Sequence, residues 1–317
     1  MLKSLLWTIT IVSSALISSA ENAPLFLPRE PFEDTHFLKN PTRVRERLIQ
    51  EYGFHETTIT TNDAHQLDCL LYSHPENVRS CIVLAGFYPG NVEGMATLIN
   101  RVPEKTNILF VNSRGHGKSD GSLIGSFPTY GQHEYKDVLA AIAFLYDNPD
   151  THKKPIYIHG VCAGARHAAD ALCHLTPEEI ETYNIQKLFF DSGWNSVQDT
   201  GYTAILGTAH HSVHWILKPL ITILIYIAHI IMRIVWSITG NEKKTNLLEK
   251  IHGLHVPLVI IHAQKDRLCP IENIDELTQK IPPDKIAERW TPDISGHASV
   301  HLQESEKYRD LLKKHMR

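Results

Sequence analysis

The stretch GVCAG at residues 160–164 decides the fold. It directly follows the apolar run 155–159, which has the composition of a buried strand, and directly precedes a helical pattern that continues to Leu175. A strand that turns sharply into a helix needs small residues two positions before and two after the turn, because larger side chains would clash there. The pattern therefore predicts a tight turn that lifts the side chain of Cys162 clear of the sheet.

The predicted position of Cys162 would change its chemistry. At the N-terminus of a helix, the dipole and the free N–H groups favour negative charge. We therefore expect the pKa of this thiol to be lowered and the sulfur to be nucleophilic near neutral pH. The alternative is a buried, unreactive cysteine beside a glycine-rich turn, and the five residues by themselves leave both interpretations open.

Short apolar runs recur along the chain and alternate with helical patterns. The runs are 81–85, 107–111, 155–159, 187–190 and 257–262. Each is nearly continuous in aliphatic or aromatic residues, which is typical of strands buried on both faces of a parallel sheet with crossover helices. Residues 57–72 alternate more and predict an antiparallel hairpin at the edge of this sheet.

Two further residues follow predicted strands in an informative order. Asp266 lies just beyond the run 257–262, and His297 follows a short predicted strand at 288–291. A nucleophile, an acid and a histidine in this order, each at the carboxyl end of a strand, match the chain order of a known catalytic triad. His297 would take the thiol proton and return it to the leaving group, while Asp266 would fix the tautomer of the imidazole and stabilise its charge. Asp191, which also follows a strand, is an alternative acid.

With these residues, the sequence resembles the α/β-hydrolase superfamily over roughly residues 55–315. The stretch NSRGHGKS at 112–119 is similar to the D-x-R-G-x-G-x-S motif of that superfamily, with Asn112 in place of the usual Asp. The resemblance is greatest to monoacylglycerol-lipase-like hydrolases and related serine aminopeptidase-type enzymes. It implies one α/β domain with a mostly parallel sheet of about eight strands flanked by helices, and an inserted helical cap at about 198–252.

The resemblance also implies an oxyanion hole. Residues 84–87 are similar to the His-Gly-x segment that ends a strand in this superfamily, with Ala85 in place of His. By this alignment, the backbone N–H groups of Phe87 and Ala163 would hold the developing negative charge. These donors belong to the backbone, so the change at Ala85 does not remove them. The resemblance implies no cofactor and no metal.

The departure that matters most is Cys162, where most of the superfamily has serine. The dienelactone-hydrolase branch also uses cysteine at this turn, so the fold is compatible with a thiol nucleophile. Three outcomes are open: a working cysteine hydrolase, a thiol enzyme of narrow specificity or acyl carrier, and a fold that has lost its chemistry. The presence of Asp266 and His297 favours the first.

Composition argues against several other classes of protein. Of the 317 residues, 43% are hydrophobic and 21% are charged, which is typical of a globular domain. The net charge of −4 argues against a nucleic-acid-binding protein that neutralises phosphates. The five cysteines contain no CxxC pair, so a zinc module or a dense disulfide framework is not expected. The histidines within 210–214 lack a carboxylate or cysteine at ligand spacing, and we interpret them as the exposed start of the cap helix.

The N-terminal residues have the features of a targeting segment. A positive charge precedes an apolar run at 5–17, and small residues precede a possible cleavage site after Ala20. Residues 1–20 are therefore predicted to be a signal peptide or, if uncleaved, an N-terminal anchor. Either would put the domain outside the cytoplasm, exported or membrane-associated. We predict an extended arm at 21–52 and the hydrolase domain at 53–317.

A second apolar stretch lies at 220–238, inside the predicted cap. Its polar members are Thr222, Tyr226, His229, Arg233 and Ser237. Their spacing places them on one narrow face of a helix. Three interpretations are open: a helix packed over the active site, a helix lying in a membrane surface, and a membrane-spanning segment. The ionisable residues near the middle count against spanning.

We therefore predict a hydrolase of carboxylic ester or thioester bonds that works through Cys162, His297 and Asp266 and an acyl-enzyme. The apolar cap predicts an apolar or lipid-like substrate that could be drawn from a membrane surface through residues 220–238. The alternative is a catalytically inactive protein of the same fold that acts as a membrane-associated binding or scaffold protein. The sequence leaves the oligomeric state open.

Overall fold

The computed structural model describes residues 41–86, 92–122, 129–196, 218–240 and 244–317. Within these ranges the chain forms an eight-stranded sheet with the order β1-β2-β4-β3-β5-β6-β7-β8. The strands are β1 (His55–Thr60), β2 (Gln66–Tyr72), β3 (Arg79–Leu84), β4 (Thr106–Val111), β5 (Ile156–Val161), β6 (Ile185–Asp191), β7 (Leu258–Ile261) and β8 (Ile286–Trp290). The pairs β1–β2 and β2–β4 are antiparallel and the other neighbouring pairs are parallel. The predicted mostly parallel sheet and its edge hairpin are confirmed.

Helices cover both faces of the sheet. In the described residues the α-helices are α1 (Pro41–Gln50), α2 (Tyr135–Asp147), α3 (Ala163–Leu172), α4 (Pro177–Thr182), α5 (Lys218–Thr239), α6 (Ile271–Lys280), α7 (Val300–Gln303) and α8 (Ser305–His315). Two buried apolar clusters hold these layers together, one including Val138 of α2 and Ile274 of α6, the other Leu48 of α1 and Leu312 of α8. The strands β4, β5 and β7 are buried along their whole length, as expected for a sheet covered on both faces.

The N-terminal arm differs from the prediction in its last part. Residues 41–50, expected to be extended, form α1, in which Val44 and Leu48 are buried four residues apart. The guanidinium of Arg45, on the same helix, donates to the carboxylate of Asp68 in β2 (2.9 Å from Nη1). An apolar i, i+4 pair and a buried ion pair therefore attach this segment to the domain as a helix.

The arginine of the 112–119 motif has a structural role. Arg114 donates to Asp137 of α2 (2.7 Å) and to Asp63 in the β1–β2 turn (2.9 Å). Asp137 is buried, and an ionised carboxylate there needs this guanidinium as a partner. The motif thereby joins the edge hairpin to α2.

The apolar stretch predicted at 220–238 forms α5. In the described part of the chain, no helix combines the length and the apolar character needed to cross a bilayer. Other predictions fall outside the described residues: the targeting segment at 1–20, the arm up to residue 40, Phe87, and much of the predicted cap, including the histidines within 210–214.

Candidate active site

The turn between β5 and α3 has the tight geometry that the sequence predicts. Cys162 lies between the end of the strand and the start of the helix, with φ at +56°, a conformation that residues other than glycine rarely adopt. Its backbone N–H donates to the carbonyl oxygen of Asp191 at the end of β6 (2.8 Å). The neighbouring strand therefore helps to hold the cysteine in this strained conformation.

Both glycines of the turn are required by close backbone contacts. A Cβ added at Gly160 would lie 2.5 Å from Cα of Ala165, and one added at Gly164 would lie 2.5 Å from the carbonyl oxygen of Leu84. Real Cβ atoms do not approach other atoms so closely. The glycines thus allow α3 to begin directly against β3 and β5, which fixes the direction of the Cys162 side chain.

The structure brings His297 and Asp266 into direct contact. Nδ1 of His297 lies 2.7 Å from Oδ2 of Asp266, and both side chains are buried. The other carboxylate oxygen of Asp266 accepts the backbone N–H groups of Leu268 (2.9 Å) and Cys269 (3.0 Å). Because Nδ1 of His297 is bonded to Asp266, Nε2 is the ring nitrogen that can exchange a proton with a nucleophile.

Electrostatic interactions couple His297 to Cys162 as well as to Asp266. Burial disfavours the charged imidazolium, but attraction to Cys162 and Asp266, together with the hydrogen bond to Asp266, raises the pKa of His297 well above its usual value. Burial also opposes the charge of Asp266, yet attraction to His297 outweighs it and lowers the pKa of the carboxyl. The three side chains therefore form one interacting group.

A second histidine supports the acid. Nε2 of His262 donates to the carbonyl oxygen of Cys269 (2.8 Å) and lies 3.7 Å from Oδ2 of Asp266. Burial lowers the pKa of His262, which keeps the ring neutral near pH 7. Its hydrogen bond fixes the loop whose backbone N–H groups hold Asp266. This role of His262 was not predicted from the sequence, although His262 is the last residue of an apolar run that ends four residues before Asp266.

Asp191, the alternative acid, has other partners. Its carboxylate accepts hydrogen bonds from Tyr308 (2.6 Å) and from its neighbour Ser192 (2.8 Å). The acid that contacts His297 is Asp266. Ser192 and Tyr308 were not predicted as site residues. For Ser192, the signal in the sequence was the DSG stretch at 191–193, directly after a strand.

Of the two predicted oxyanion-hole donors, Ala163 is described and Phe87 is not. Ala163 is the first residue of α3, so its N–H is not used within the helix. Gly86, the last described residue before Phe87, lies beside Cys162: a Cβ added to it would be 2.9 Å from Cβ of Cys162 and 3.4 Å from its sulfur.

The surroundings of Cys162 are apolar. Its side chain is 7% exposed and belongs to a buried cluster that also contains Trp194, after β6, and Trp236 of α5. The predicted cap helix thus contributes to the same cluster as Cys162.

Burial makes the other four cysteines poor nucleophiles. It raises the pKa of the Cys81 and Cys173 thiols to about 12 and raises the pKa of Cys69 and Cys269 as well. Among the described residues, no group of three or more His, Cys, Asp or Glu side chains is arranged to hold a metal ion.

No protein-family model matches the sequence, and no curated protein is significantly similar to it. Solved structures are similar in fold. An esterase from Pyrococcus furiosus has a TM-score of 0.61 at 18% identity, covering 87% of this chain and 92% of the esterase. An α/β-hydrolase from Penicillium sp. sh18 has a TM-score of 0.58 at 16% identity, covering 83% of this chain and 99% of the other.

An acylaminoacyl peptidase from Pyrococcus horikoshii has a TM-score of 0.57 at 16% identity, covering 83% of this chain but 40% of the peptidase. At these identities the similarity establishes the fold. The chain has the α/β-hydrolase fold.

Proposed function

We propose that the protein hydrolyses carboxylic ester or thioester bonds, with Cys162 as nucleophile, His297 as general base and acid, and Asp266 as the acid that orients the histidine. The observation that carries this proposal is the 2.7 Å hydrogen bond between His297 and Asp266, in a group that also includes the Cys162 side chain at the strained turn. Strained backbone and perturbed pKa values are concentrated at functional sites.

The first half of the reaction forms an acyl-enzyme. Nε2 of His297 takes the thiol proton, and the sulfur of Cys162 attacks the carbonyl carbon to give a tetrahedral oxyanion. The N–H groups of Ala163 and Phe87 are proposed to hold that oxyanion. When the C–O or C–S bond to the leaving group breaks, the imidazolium returns the proton to the departing alcohol or thiol.

The second half releases the acid. His297 removes a proton from water, and the resulting hydroxide attacks the carbonyl carbon of the acyl-Cys162 thioester. The C–S bond then breaks, the thiolate recovers a proton from His297, and the carboxylic acid leaves. Asp266 stays ionised and offsets the positive charge on His297 in both halves.

We propose an apolar or lipid-like acyl group as substrate. Support comes from the buried cluster of Cys162, Trp194 and Trp236. The resemblance of residues 112–119 to monoacylglycerol-lipase-like hydrolases favours the same class. Trp236 belongs to α5, so we propose that this helix covers the acyl chain.

The outer face of α5 supports a membrane surface as the source of that substrate. Ile223, Ile227, Ile230, Ile234 and Ile238 recur at spacings of four, three, four and four and are between 41% and 81% exposed. Each of these isoleucines directly follows one of the polar residues that were predicted to share one face of the helix. Of those polar residues, Tyr226, Arg233 and Ser237 are exposed. An exposed apolar face bordered by polar groups fits a helix that lies in a lipid surface. We propose a lipid surface as the partner of this face because Trp236, on the opposite, buried face of α5, belongs to the same cluster as Cys162.

The catalytic proposal is tested with the full chain, Cys162→Ala and the control Cys173→Ala, using p-nitrophenyl butyrate and an acyl thioester. We expect Cys162→Ala to lose turnover, Cys173→Ala to keep it, and mass spectrometry to find an acyl adduct on Cys162 in the wild type. Wild-type turnover that survives in Cys162→Ala would contradict the proposed nucleophile. No wild-type turnover on esters from short to long chains would favour the alternative, a membrane-associated binding or scaffold protein.

The membrane proposal is tested with the double variant Ile227→Glu, Ile234→Glu. It should lose turnover of a long-chain ester carried in phosphatidylcholine vesicles and keep turnover of soluble p-nitrophenyl butyrate. Val78 is a matched control, because it is 47% exposed in a loop away from α5; Val78→Glu should behave as wild type. Equal loss of turnover on both substrates would contradict the proposal. So would a wild-type protein that is a dimer and a double variant that is a monomer with unchanged turnover on vesicles, because the exposed face would then be a dimer interface.

A further inference from the structure

A chain of buried hydrogen bonds runs behind the candidate active site. Nε2 of His159 in β5 lies 2.6 Å from the hydroxyl of Tyr308 in α8, and that hydroxyl lies 2.6 Å from Oδ2 of Asp191. The other carboxylate oxygen of Asp191 accepts from the hydroxyl of Ser192 (2.8 Å). Ser192 in turn accepts the backbone N–H of Ala298 (3.2 Å), the residue that follows His297. The chain therefore ends at the backbone that carries the candidate base.

The direction of these hydrogen bonds follows from the chemistry of the groups. An ionised carboxylate only accepts, so the hydroxyls of Tyr308 and Ser192 both donate to Asp191. The Tyr308 oxygen is then the acceptor for His159, whose Nε2 must carry a proton. Burial lowers the pKa of His159 to about 4, so the ring is neutral near pH 7 and its single proton lies on Nε2. Each donor in this chain thus has an acceptor.

The same residues also hold the nucleophile. The carbonyl oxygen of Asp191 accepts the N–H of Cys162 (2.8 Å), and the N–H of Ser192 donates to the carbonyl oxygen of Ile261 at the end of β7 (2.8 Å). Asp191 and Ser192 therefore bond to the turn of Cys162, to the strand that precedes the acid loop, and to the loop of His297.

Backbone strain is concentrated at the same contacts. Cys162, Ser192 and Ala298 all have positive φ, at +56°, +53° and +52°. A non-glycine residue with positive φ is strained, and it persists where surrounding interactions hold it. The hydrogen bond from Ala298 to Ser192 joins two of these three residues directly.

From these contacts we infer that Ser192, oriented by Asp191, is a positioning residue for His297: its Oγ holds the backbone after the base at the distance from Cys162 that proton transfer needs. This inference rests on the proposed function. Neither residue is required to touch the substrate. Their effect is exerted through the relative placement of base and nucleophile, where small displacements have large effects on rate.

The test compares Ser192→Ala and Ser192→Gly with Ser80→Ala. Glycine relieves the positive φ that alanine retains, and both lack the hydroxyl. Ser80 is an equally buried serine of β3, whose Oγ accepts from Asn107 (3.2 Å) at a distance from the site, and it serves as the matched control. Four quantities are measured: kcat and KM for p-nitrophenyl butyrate, the melting temperature, and the pH profile of iodoacetamide alkylation at Cys162.

Both Ser192 variants should lower kcat by about 10-fold to 100-fold with KM changed by less than about twofold. Both should move the alkylation profile of Cys162 to higher pH, because a displaced His297 stabilises the thiolate less. Ser80→Ala should lower the melting temperature at most and leave the profile unchanged. Recovery of wild-type kcat in Ser192→Gly would overturn the inference, since backbone strain rather than the hydroxyl would then explain the Ser192→Ala result.

Failure of the inference and failure of the proposed function give different results. If Cys162 of the wild type is alkylated at low pH and both Ser192 variants have the same pH profile, the inference is overturned and the proposed nucleophile stays in place. Wild-type Cys162 that alkylates like an ordinary thiol would overturn both.

Discussion

The side-chain amide of Asn112 donates to the carboxylate of Asp68 across 2.7 Å. The same carboxylate accepts two hydrogen bonds from the guanidinium of Arg45. The D-x-R-G-x-G-x-S motif that this chain resembles has Asp at the position of Asn112. In this chain an Asp at position 112 would face the carboxylate of Asp68. Asn112 replaces the Asp of the motif because its amide can donate a hydrogen bond to that carboxylate.

Replacing that amide by a carboxylate should destabilise the fold. Asn112→Asp would bring two buried carboxylates together beside one guanidinium, and we expect the free energy of unfolding to fall by about 2 to 4 kcal/mol. Urea denaturation at pH 7 measures it. The control is the exchange Asp68→Asn, Asn112→Asp, which removes the carboxylate pair but also the carboxylate that Arg45 contacts, so it should recover only part of the loss. A double variant no more stable than the single one would contradict this account.

Removing the charge of Asp266 should have a much larger effect on rate than removing that of Asp191. Asp266→Asn can offer its amide N–H to His297, which stabilises the wrong tautomer, and we expect kcat to fall by about a thousandfold or more. Asp191→Asn acts through Ser192 and should cost no more than about 100-fold. Single-turnover kinetics on p-nitrophenyl butyrate measures both variants. Equal losses, or a larger loss for Asp191→Asn, would mean that Asp191 is the acid.

The thiol of Cys162 should react with iodoacetamide faster than the other cysteines near pH 6. The attraction between His297 and Cys162 that raises the pKa of the imidazole also favours the thiolate, so we expect Cys162 to be alkylated below the usual thiol range. His297→Ala should move the alkylation profile toward the ordinary thiol midpoint, about 8.5. Peptide mass spectrometry assigns each adduct. Cys173, half-buried and with its pKa raised by burial to about 12, is the internal control.

Stability should depend on pH through Asp191. Burial raises the pKa of this carboxyl to about 6 from the value of 3.8 expected in the unfolded chain, although bonds to Tyr308 and Ser192 and the charge of His297 oppose the shift. Between pH 4 and pH 6 the folded protein holds more protons than the unfolded chain, so this group's contribution to stability falls as pH rises. In Asp191→Asn this pH-dependent contribution is absent, because an amide does not titrate in this range.

Between pH 4 and pH 7 the unfolding free energy of the wild type should therefore fall relative to that of Asp191→Asn, by up to about 3 kcal/mol. Urea denaturation at several pH values measures it. The exposed Asp150 is the control: Asp150→Asn should give a stability curve parallel to that of the wild type. Parallel curves for Asp191→Asn and wild type would contradict the assigned cause.

Much of the fold and of the candidate site could be predicted because the signals are local. The apolar runs predicted strands whose ends the structure moves by one or two residues, with β6 longer and β7 shorter than its run, and the two glycines around Cys162 predicted the turn. The arm at 41–50 was predicted wrongly as extended, because the partners of α1 lie far along the chain: Arg45 bonds to Asp68, 23 residues away.

The sequence by itself determined the parallel sheet, the tight turn at Cys162 and the placement of Asp266 and His297 after later strands. These follow from side-chain periodicity and from steric limits at glycine, both of which act between near neighbours. Only the tertiary structure decided which aspartate contacts His297, which face of α5 is left exposed, and that Ser192 bonds to the loop of the base. Each depends on contacts between distant residues, such as Tyr308 and Asp191, 117 positions apart, and local sequence carries no record of them.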